Sequence, residues 1–266
     1  YRAVTNKLDA YSPLGYSCSG EVLEVGEGVK SLKAGDYVAC AGVGYASHAE
    51  IVSVPINLCV KLDNNCNIAH AAYNTLGAIA MQAVRQADLK IGETCLVIGL
   101  GLLGQIASSI LRAGGVYVVG VDLSSEMVQI ANSSGSVDKA FSRDSSELLN
   151  FLDDISLGHG VDGVLIAAAS KSNDPINFAG KVARQKGRVV VLGDISTDFN
   201  RDPDWYGKEL ELRMSCSYGP GRYDGEYEEK GRDYPLGHVR WTQNRNMQAF
   251  QSLILQGKIP LDKLTT

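Results

Sequence analysis

One stretch of the chain limits its fold more than any other, because it joins two apolar segments through closely spaced glycines. From Cys95 to Asp122 the sequence reads CLVIGLGLLGQIASSILRAGGVYVVGVD. Gly99, Gly101 and Gly104 follow an apolar strand in the spacing G-x-G-x-x-G, and an apolar helix, a second strand and an acid come after them. Glycine runs also occur in ordinary loops and in S-adenosylmethionine sites, but this whole order is typical of a β-α-β unit that binds a dinucleotide.

Each glycine of this motif has its own physical task. Gly99 allows the tight turn off the strand, Gly101 lets the backbone approach a pyrophosphate, and Gly104 lets the helix pack closely on the sheet. The N-terminus of that helix offers free N–H groups and a positive dipole end to phosphates. The turn predicted to bind the cofactor comprises Gly99, Leu100, Gly101, Leu102, Leu103 and Gly104.

The end of the second strand predicts which dinucleotide binds. Asp122 lies about 20 residues beyond the glycines, where a carboxylate can accept hydrogen bonds from the adenosine ribose. A 2′-phosphate would meet this carboxylate with like charge, and the following Leu123, Ser124 and Ser125 supply no arginine. The sequence therefore favours NAD over NADP, with Asp122 and Leu123 contacting the adenosine half.

Composition sets the outer limits. The chain has 266 residues, a formal net charge of −5, 45% hydrophobic and 21% charged residues, as is normal for a globular protein with a sizeable core. No Lys/Arg cluster is present, so nucleic acid is not an expected partner. The apolar runs are shorter than a bilayer span, so no membrane segment is expected. A small-molecule partner is the remaining expectation.

The six cysteines are scattered and form no C-x-x-C pair or Cys/His cluster at zinc-ligand spacing. We interpret them as reduced, mostly buried thiols. In a chain of this size such usage favours a reducing cytoplasm over a disulfide framework.

The pattern along the chain predicts two domains. Residues 15–61 carry short β-like runs, Gly20 to Val25, Gly35 to Ala39, Ala49 to Val54 and Leu58 to Lys61. An alanine-rich helix from Ile68 to Ala87, broken near Gly77, leads into the nucleotide-binding strand. Strands and helices then alternate as in an α/β doubly wound parallel sheet, followed by a polar loop from Tyr218 to Tyr234 and a helix from Asn244 to Gln256. The predicted division is residues 1–85 and 86–266.

This order of parts resembles the medium-chain dehydrogenase/reductase superfamily, in which a GroES-like β domain precedes a Rossmann domain. The resemblance rests on PLGYSCSGEVLEVGEGVKSLKAGDYVA, GLGLLG with Asp122, GRVVVLG and QGKIPLDKLTT. The segments SYGPGRYDGEYEEKGRDYP and VRWTQNRNMQAF are similar to a branch related to bacteriochlorophyllide dehydrogenase-like proteins. The resemblance implies a partial, N-terminally truncated GroES-like domain, and in some members a second, fused oxidoreductase domain.

The resemblance also implies that the zinc ligands are not retained. Zinc-dependent members read G-H-E where this chain reads Gly15-Tyr16-Ser17, and an acidic ligand would fall near Thr75. No metal site is therefore expected. Tyr16 would face the nicotinamide, where its phenol either donates a hydrogen bond to the developing oxyanion or fills the vacated space. Thr75 either positions the nicotinamide or substrate hydroxyl or acts as a satisfied helix-cap or core hydroxyl.

Two further strand ends carry candidate cofactor contacts. Ala168 and Ala169, and likewise Gly193 and Asp194, come at the carboxyl edge where open α/β sheets bind ligands. Small residues there would let a cofactor lie close, and Asp194 either contacts the nicotinamide side or is an ordinary loop carboxylate. His48 is kept in reserve, with packing as its expected role.

These observations predict a zinc-independent, NAD(H)-dependent oxidoreductase that interconverts an alcohol and a carbonyl on a small polar, sugar-like substrate. A non-catalytic NAD-binding module of a larger protein is the first alternative, and a metal-free quinone or enone reductase is the second. The resemblance further implies a homodimer, in which the strand at Glu211 to Ser215 pairs with its mate.

Overall fold

The chain is seen in a computed structural model that describes residues 14–265. Its backbone falls into two compact units. The first comprises the chain up to Thr75 together with Pro220–Gln251, and the second comprises Leu76–Gly219 together with the chain from Ser252 onward. The division is therefore not a single cut near residue 85, because a segment far along the chain returns to the first unit.

A three-stranded antiparallel sheet forms the first unit's β layer, in the order β1 (Ser17–Glu21), β2 (Tyr37–Ala41), β3 (Cys59–Lys61). The strand expected at residues 49–54 does not form. Ile51 is 74% exposed, so the alternating pattern there has no apolar layer to cover. A short helix, α1 (Ile68–Ala71), follows β3 and is capped by the Asn67 side chain.

The segment from Pro220 to Gln251 is part of this unit's core. Tyr227, on the short helix α7 (Gly225–Glu228), is fully buried, and Asn57 donates a hydrogen bond to its carbonyl at 2.9 Å. Asn244 Nδ2 donates to the carbonyls of Asn57 and Cys59, both at 2.9 Å. The polar composition of residues 218–234 suggests a solvated surface insertion, but the segment carries the buried side chains of Tyr218 and Tyr227 and belongs to the first unit only from Pro220 onward.

The second unit is built on six parallel strands in the order β6-β5-β4-β7-β8-β9, with helices between them. The strand order reverses between β4 and β7, as in a doubly wound sheet. The prediction of an α/β doubly wound parallel sheet is confirmed. Its strands are β4 (Thr94–Ile98), β5 (Tyr117–Asp122), β6 (Lys139–Ser142), β7 (Val161–Ile166), β8 (Ala183–Val191) and β9 (Glu211–Met214).

Helices that alternate with the strands of this sheet pack against it. The alanine-rich stretch is interrupted before Asn74, earlier than predicted, and Gly77 lies inside the second helix. The remaining helices are α2 (Asn74–Ala87), α3 (Leu102–Ala113), α4 (Ser125–Ser134), α5 (Leu148–Ile155), α6 (Asp174–Val182) and α8 (Gln243–Leu255). None of the helices in residues 14–265 is long and apolar enough to cross a membrane.

One carboxylate ties together the amino ends of two central strands. Asp162, near the start of β7, accepts hydrogen bonds from the backbone N–H of Thr94 at 2.8 Å and from Arg184 Nε at 2.7 Å. Partial burial alone would raise the pKa of Asp162, but these hydrogen bonds from Thr94 and Arg184 hold it below its ordinary value. An ion pair between Asp162 and Arg184 thus stabilises the edge of the sheet at which β4 and β7 begin.

Candidate functional site: a dinucleotide cleft

The turn after β4 is shaped by how closely two stretches of backbone approach each other. Gly99 has a φ of 97°, and a Cβ placed on it would lie 2.7 Å from the backbone nitrogen of Ala168. A Cβ on Gly104 would lie 1.9 Å from the carbonyl oxygen of Gly99. Both positions therefore require glycine, one for its backbone conformation and for space, the other for close packing of α3 on the turn.

Gly101 differs from its two neighbours in the motif because the space beside it is open. A Cβ on Gly101 would meet no atom within 4 Å. Gly101 also caps α3, whose first N–H groups point out of the helix without intrahelical partners. Open space in front of a helix N-terminus is what a pyrophosphate requires.

The leucines of the turn have separate surroundings. Leu100 is fully buried and packs under the turn, where a Cβ on Gly120 would lie 2.5 Å from it. Leu102 is 37% exposed at the start of α3, and Leu103 is partly buried. The side chain of Leu100 thus packs under the turn and does not face solvent.

Asp122, the last residue of β5, holds the turn and faces the cleft. One carboxylate oxygen accepts the backbone N–H of Leu100 at 2.6 Å, and the other accepts the N–H of Ser124 at 2.8 Å. A carboxylate has about four lone-pair sites, so two of them are left for donors from a ligand. The same side chain therefore fixes the glycine turn and offers acceptors to a ribose.

A cleft of about 640 Å³ opens at the carboxyl ends of β4, β5 and β7, where the strand order reverses. Six residues predicted from the sequence line it, whereas the rest of the predicted set does not. The predicted residues in its wall are Gly99, Gly101, Asp122, Leu123, Ala168 and Ala169. Sequence reasoning missed the polar residues Arg143, Asp144, Ser170, Ser172 and Asp174 and the apolar residues Ile98, Val121, Ala167 and Pro175.

Arg143 is the cation in the wall of this cleft. Its Nη2 donates to Asp174 at 2.9 Å, and its guanidinium lies 3.7 Å from the centre of the Phe178 ring. Its Nε is buried and has no hydrogen-bond partner in residues 14–265. The guanidinium is therefore held at the wall of the cleft by its contacts with Asp174 and Phe178. Arg143 directly follows β6, which pairs with β5. Its position after a predicted strand is the sequence feature that could have indicated a place at the cleft.

Gly193 and Asp194 support the cleft from behind. A Cβ on Gly193 would lie 2.0 Å from the carbonyl oxygen of Ala168, so this glycine lets the strand ends pack together. Asp194 is exposed, and its carbonyl accepts the N–H of Ser170 at 2.9 Å. The structure places neither residue in the wall of the cleft.

The candidate catalytic residues, Tyr16 and Thr75, lie together in the first unit. The carbonyl of Tyr16 accepts hydrogen bonds from the Thr75 hydroxyl and the Gly42 N–H, both at 3.0 Å. The backbone N–H of Thr75 donates to Ser17 Oγ at 3.1 Å. Thr75 is fully buried and its hydroxyl hydrogen is committed to Tyr16, whereas Tyr16 itself is 38% exposed. The structure thus gives Thr75 a positioning contact and leaves the Tyr16 ring accessible.

The reserve candidate, His48, packs beside the same turn. A Cβ on Gly15 would lie 2.3 Å from the His48 ring, so glycine at position 15 makes room for this imidazole. Within residues 14–265, no group of three or more His, Cys, Asp or Glu side chains could hold a metal ion. At the positions where the resemblance implies zinc ligands, the chain carries the phenol of Tyr16 and the hydroxyl of Thr75, which are not the usual ligands of a catalytic zinc.

Two family models match the chain. A model of the zinc-binding dehydrogenases matches residues 103–229, and a model of the alcohol dehydrogenase GroES-like domain matches residues 2–64. The chain belongs to the medium-chain dehydrogenase/reductase superfamily. Both the predicted resemblance and the predicted GroES-like and Rossmann fold are thereby confirmed. The family's cofactors are nicotinamide dinucleotides, and the chain is an oxidoreductase of the dehydrogenase type.

Curated members of the superfamily are similar to the chain in sequence. A probable D-xylulose reductase A of Arthroderma otae is 27% identical over 245 residues, which cover 79% of this chain and 67% of that protein. The (R,R)-butanediol dehydrogenase of Bacillus subtilis is 32% identical over 149 residues, 47% of this chain and 43% of that protein. The chain thus spans about two thirds of the D-xylulose reductase it matches.

A solved structure of the same superfamily agrees in fold. The 2R,3R-butanediol dehydrogenase from Bacillus subtilis superposes with a TM-score of 0.76 at 24% identity, covering 98% of this chain and 74% of that one. At this identity the likeness supports the fold alone.

Proposed function

We propose that the chain is an NAD(H)-dependent, zinc-independent oxidoreductase that interconverts an alcohol and a carbonyl on a small polar, polyol- or sugar-like substrate. The observation that carries the cofactor half is Asp122, which anchors the glycine turn and keeps free acceptors at the wall of the cleft. The substrate class is suggested by the relatives named for D-xylulose and butanediol.

The charges of the cleft favour NAD over NADP. Three carboxylates line it, those of Asp122, Asp144 and Asp174, against the one guanidinium of Arg143. That guanidinium already pairs with Asp174. An added 2′-phosphate would bring about two more negative charges into a wall of net negative charge, and Arg143 would have to leave its partner to neutralise it.

Binding is the task of the second unit. The turn at Gly101 gives the pyrophosphate its space, the N-terminus of α3 offers N–H groups, and Asp122 accepts hydrogen bonds from the ribose hydroxyls. The nicotinamide, once bound, supplies or accepts a hydride.

Chemistry at the substrate oxygen is assigned to Tyr16. Its phenol donates a hydrogen bond to a carbonyl oxygen on which negative charge develops, the task that a metal ion performs in zinc-dependent dehydrogenases. Thr75 is a positioning residue, because its hydroxyl holds the Tyr16 backbone. A phenol is a weaker electrophile than a metal ion, so we expect modest turnover.

The test is a fluorescence titration of the purified chain with NADH and with NADPH, followed by turnover assays on a panel that includes D-xylulose and (2R,3R)-butanediol. We expect tighter binding of NADH, turnover that a metal chelator does not reduce, and loss of turnover without loss of binding in Tyr16→Phe. Saturable NADH binding with no turnover on the panel would favour a non-catalytic NAD-binding module. Preference for NADPH would favour the quinone or enone reductase.

The proposed cellular compartment and oligomeric state rest on the cysteine usage and on the same family resemblance. We propose that the chain acts in the cytoplasm as a homodimer, alone or beside a fused oxidoreductase domain. Sedimentation that gives only a monomer at high concentration would contradict the dimer.

A further inference from the structure

Three cysteines that are far apart in the sequence form one row across the small sheet. Cys18 of β1 lies directly opposite Cys40 of β2, and Cys40 lies directly opposite Cys59 of β3. Directly opposed residues of antiparallel strands project from the same face, with Cβ atoms about 4.5–5.5 Å apart. The strand register therefore places the thiols of Cys18, Cys40 and Cys59 in one row, with Cys40 at its centre. The sequence contains no C-x-x-C motif that would have indicated this row.

The inner part of the row is closely packed. The sulfur atoms of Cys40 and Cys59 are 3.7 Å apart, and Cys59 Sγ also lies 3.5 Å from the carbonyl oxygen of Pro55. Cys40 is only 5% exposed, among apolar neighbours such as Val38. All three thiols are free. A disulfide needs Cβ atoms about 3.5–4.5 Å apart, so the pair could close with only a small shift.

Both ends of the row, Cys18 and Cys59, are partly exposed, whereas Cys40 at the centre is buried. The pKa of the thiols distinguishes Cys18 as the point of entry. A hydrogen bond with Cys40 lowers the pKa of the Cys18 thiol to about 7, and partial burial opposes the shift. The pKa of Cys40 is raised by its contacts with Cys18 and Cys59 and by burial. Of this pair, Cys18 is the thiol that ionises first, and the thiolate is the form that reacts.

We propose that the row is a redox modification site, in which Cys18 captures an oxidant of the small-molecule disulfide class and passes the oxidation inward to a Cys40–Cys59 disulfide. The inference does not depend on the proposed dehydrogenase reaction.

The steps balance as thiol–disulfide exchange. The Cys18 thiolate attacks glutathione disulfide, forming a mixed disulfide and releasing one glutathione thiolate. Cys40 then attacks the Cys18 sulfur and releases the second glutathione, and Cys59 attacks the Cys40 sulfur and releases Cys18 as its thiolate. Overall, the thiols of Cys40 and Cys59 are oxidised and one glutathione disulfide is reduced to two glutathiones. The row suits this transfer because Cys59 and Cys18 flank Cys40 on opposite strands, so that one can attack as the other leaves.

The experiment treats the whole chain with glutathione disulfide, quenches by acid at intervals, and maps the cysteines by mass spectrometry of a non-reduced digest. In the wild type we expect a glutathione adduct on Cys18 first and a peptide pair linked through Cys40 and Cys59 later, both reversed by dithiothreitol. In Cys59→Ala the oxidation should stop at a Cys18–Cys40 linkage. In Cys18→Ala the Cys40–Cys59 linkage should form at least about tenfold more slowly, because the variant lacks the thiol of the row whose pKa is lowered.

Cys216→Ala is the matched control, because it removes an exposed thiol outside the row. It should leave the rate and the linkage unchanged. Adducts on Cys216 with Cys18, Cys40 and Cys59 all still free would overturn the proposal. An unchanged rate in Cys18→Ala would overturn the entry role of Cys18. If that variant does not fold, the order of adduct and linkage in the wild type decides the same point, and a linkage that appears before any Cys18 adduct refutes it.

Discussion

Replacing Asp122 by asparagine tests whether this carboxylate determines the preference for NADH over NADPH. The substitution keeps the side-chain volume and one oxygen, which can still accept the Leu100 or the Ser124 N–H. It removes the negative charge and the second acceptor. The glycine turn is therefore weakened but still tied, and the ribose loses a charged partner.

The magnitude follows from the two hydrogen bonds that Asp122 can still accept from a ribose. A hydrogen bond to a charged group contributes about 1.5–3 kcal/mol. Loss of one such bond, about 2 kcal/mol, would weaken NADH binding about 30-fold. NADPH should gain instead, because a 2′-phosphate no longer meets a carboxylate; for a solvent-open cleft about 1 kcal/mol, or about fivefold, is a reasonable size. The preference for NADH over NADPH should fall by about 150-fold.

The assay is fluorescence titration with both cofactors at fixed ionic strength, on wild type, Asp122→Asn and a matched control, Asp162→Asn. Asp162 also accepts a hydrogen bond from a backbone N–H, that of Thr94, but it does so where β4 begins, at the edge of the sheet opposite the cleft. The control should lower stability while leaving both affinities unchanged.

Two results would refute the reasoning. Equal loss of NADH and NADPH affinity in Asp122→Asn would mean that the carboxylate acts only by holding the turn. Unchanged affinity for both would mean that the ribose does not reach this strand end.

Three other outcomes follow from the described contacts. Gly104→Ala should lower the free energy of unfolding by about 1–3 kcal/mol in a denaturant titration, because the backbone must move to make room for the added methyl group. Gly101→Ala should leave the free energy of unfolding unchanged and weaken NADH binding. The carboxylate of Asp162, with its lowered pKa, stabilises the fold above its unfolded pKa of about 3.9, and this contribution is lost as the pH falls through the lower folded value. The unfolding free energy of Asp162→Asn should therefore vary less with pH below about 4, and an equally steep profile would contradict the assignment. The rate of Cys18 alkylation, plotted against pH, should have its midpoint near pH 7 in the wild type and at about pH 8.5 in Cys40→Ala, because Cys40 is directly opposite Cys18. An unchanged midpoint would contradict a contact between the two thiols.

The nucleotide-binding half of the fold was predictable because its signals are local. The G-x-G-x-x-G run, the apolar strands beside it and Asp122 lie within one β-α-β unit, and a short connection leaves little choice of topology.

The parts that sequence reasoning missed are those in which distant segments meet. Arg143 enters the cleft because β6 pairs with β5, and the cysteine row exists because three strands align in one register. Tyr227 looks like a surface residue in a polar loop, but it is buried because that segment returns to the small sheet. Pairing between strands is not encoded in any window of the sequence, so composition and spacing could not predict these contacts.

The contrast between Asp122 and Tyr16 explains why the cofactor is easier to infer than the substrate. Asp122 holds the turn through Leu100 and presents acceptors to the cleft with the same carboxylate, so the geometry of the turn and the choice of cofactor cannot change independently. Tyr16 is fixed differently: Thr75 and Gly42 bind its carbonyl, while its ring is left accessible. A backbone held in this way tolerates a different side chain at position 16. The chemistry can therefore change between a metal ligand and a phenol without disturbing the turn that carries it, and only measured turnover in Tyr16→Phe separates a working phenol from one that fills space.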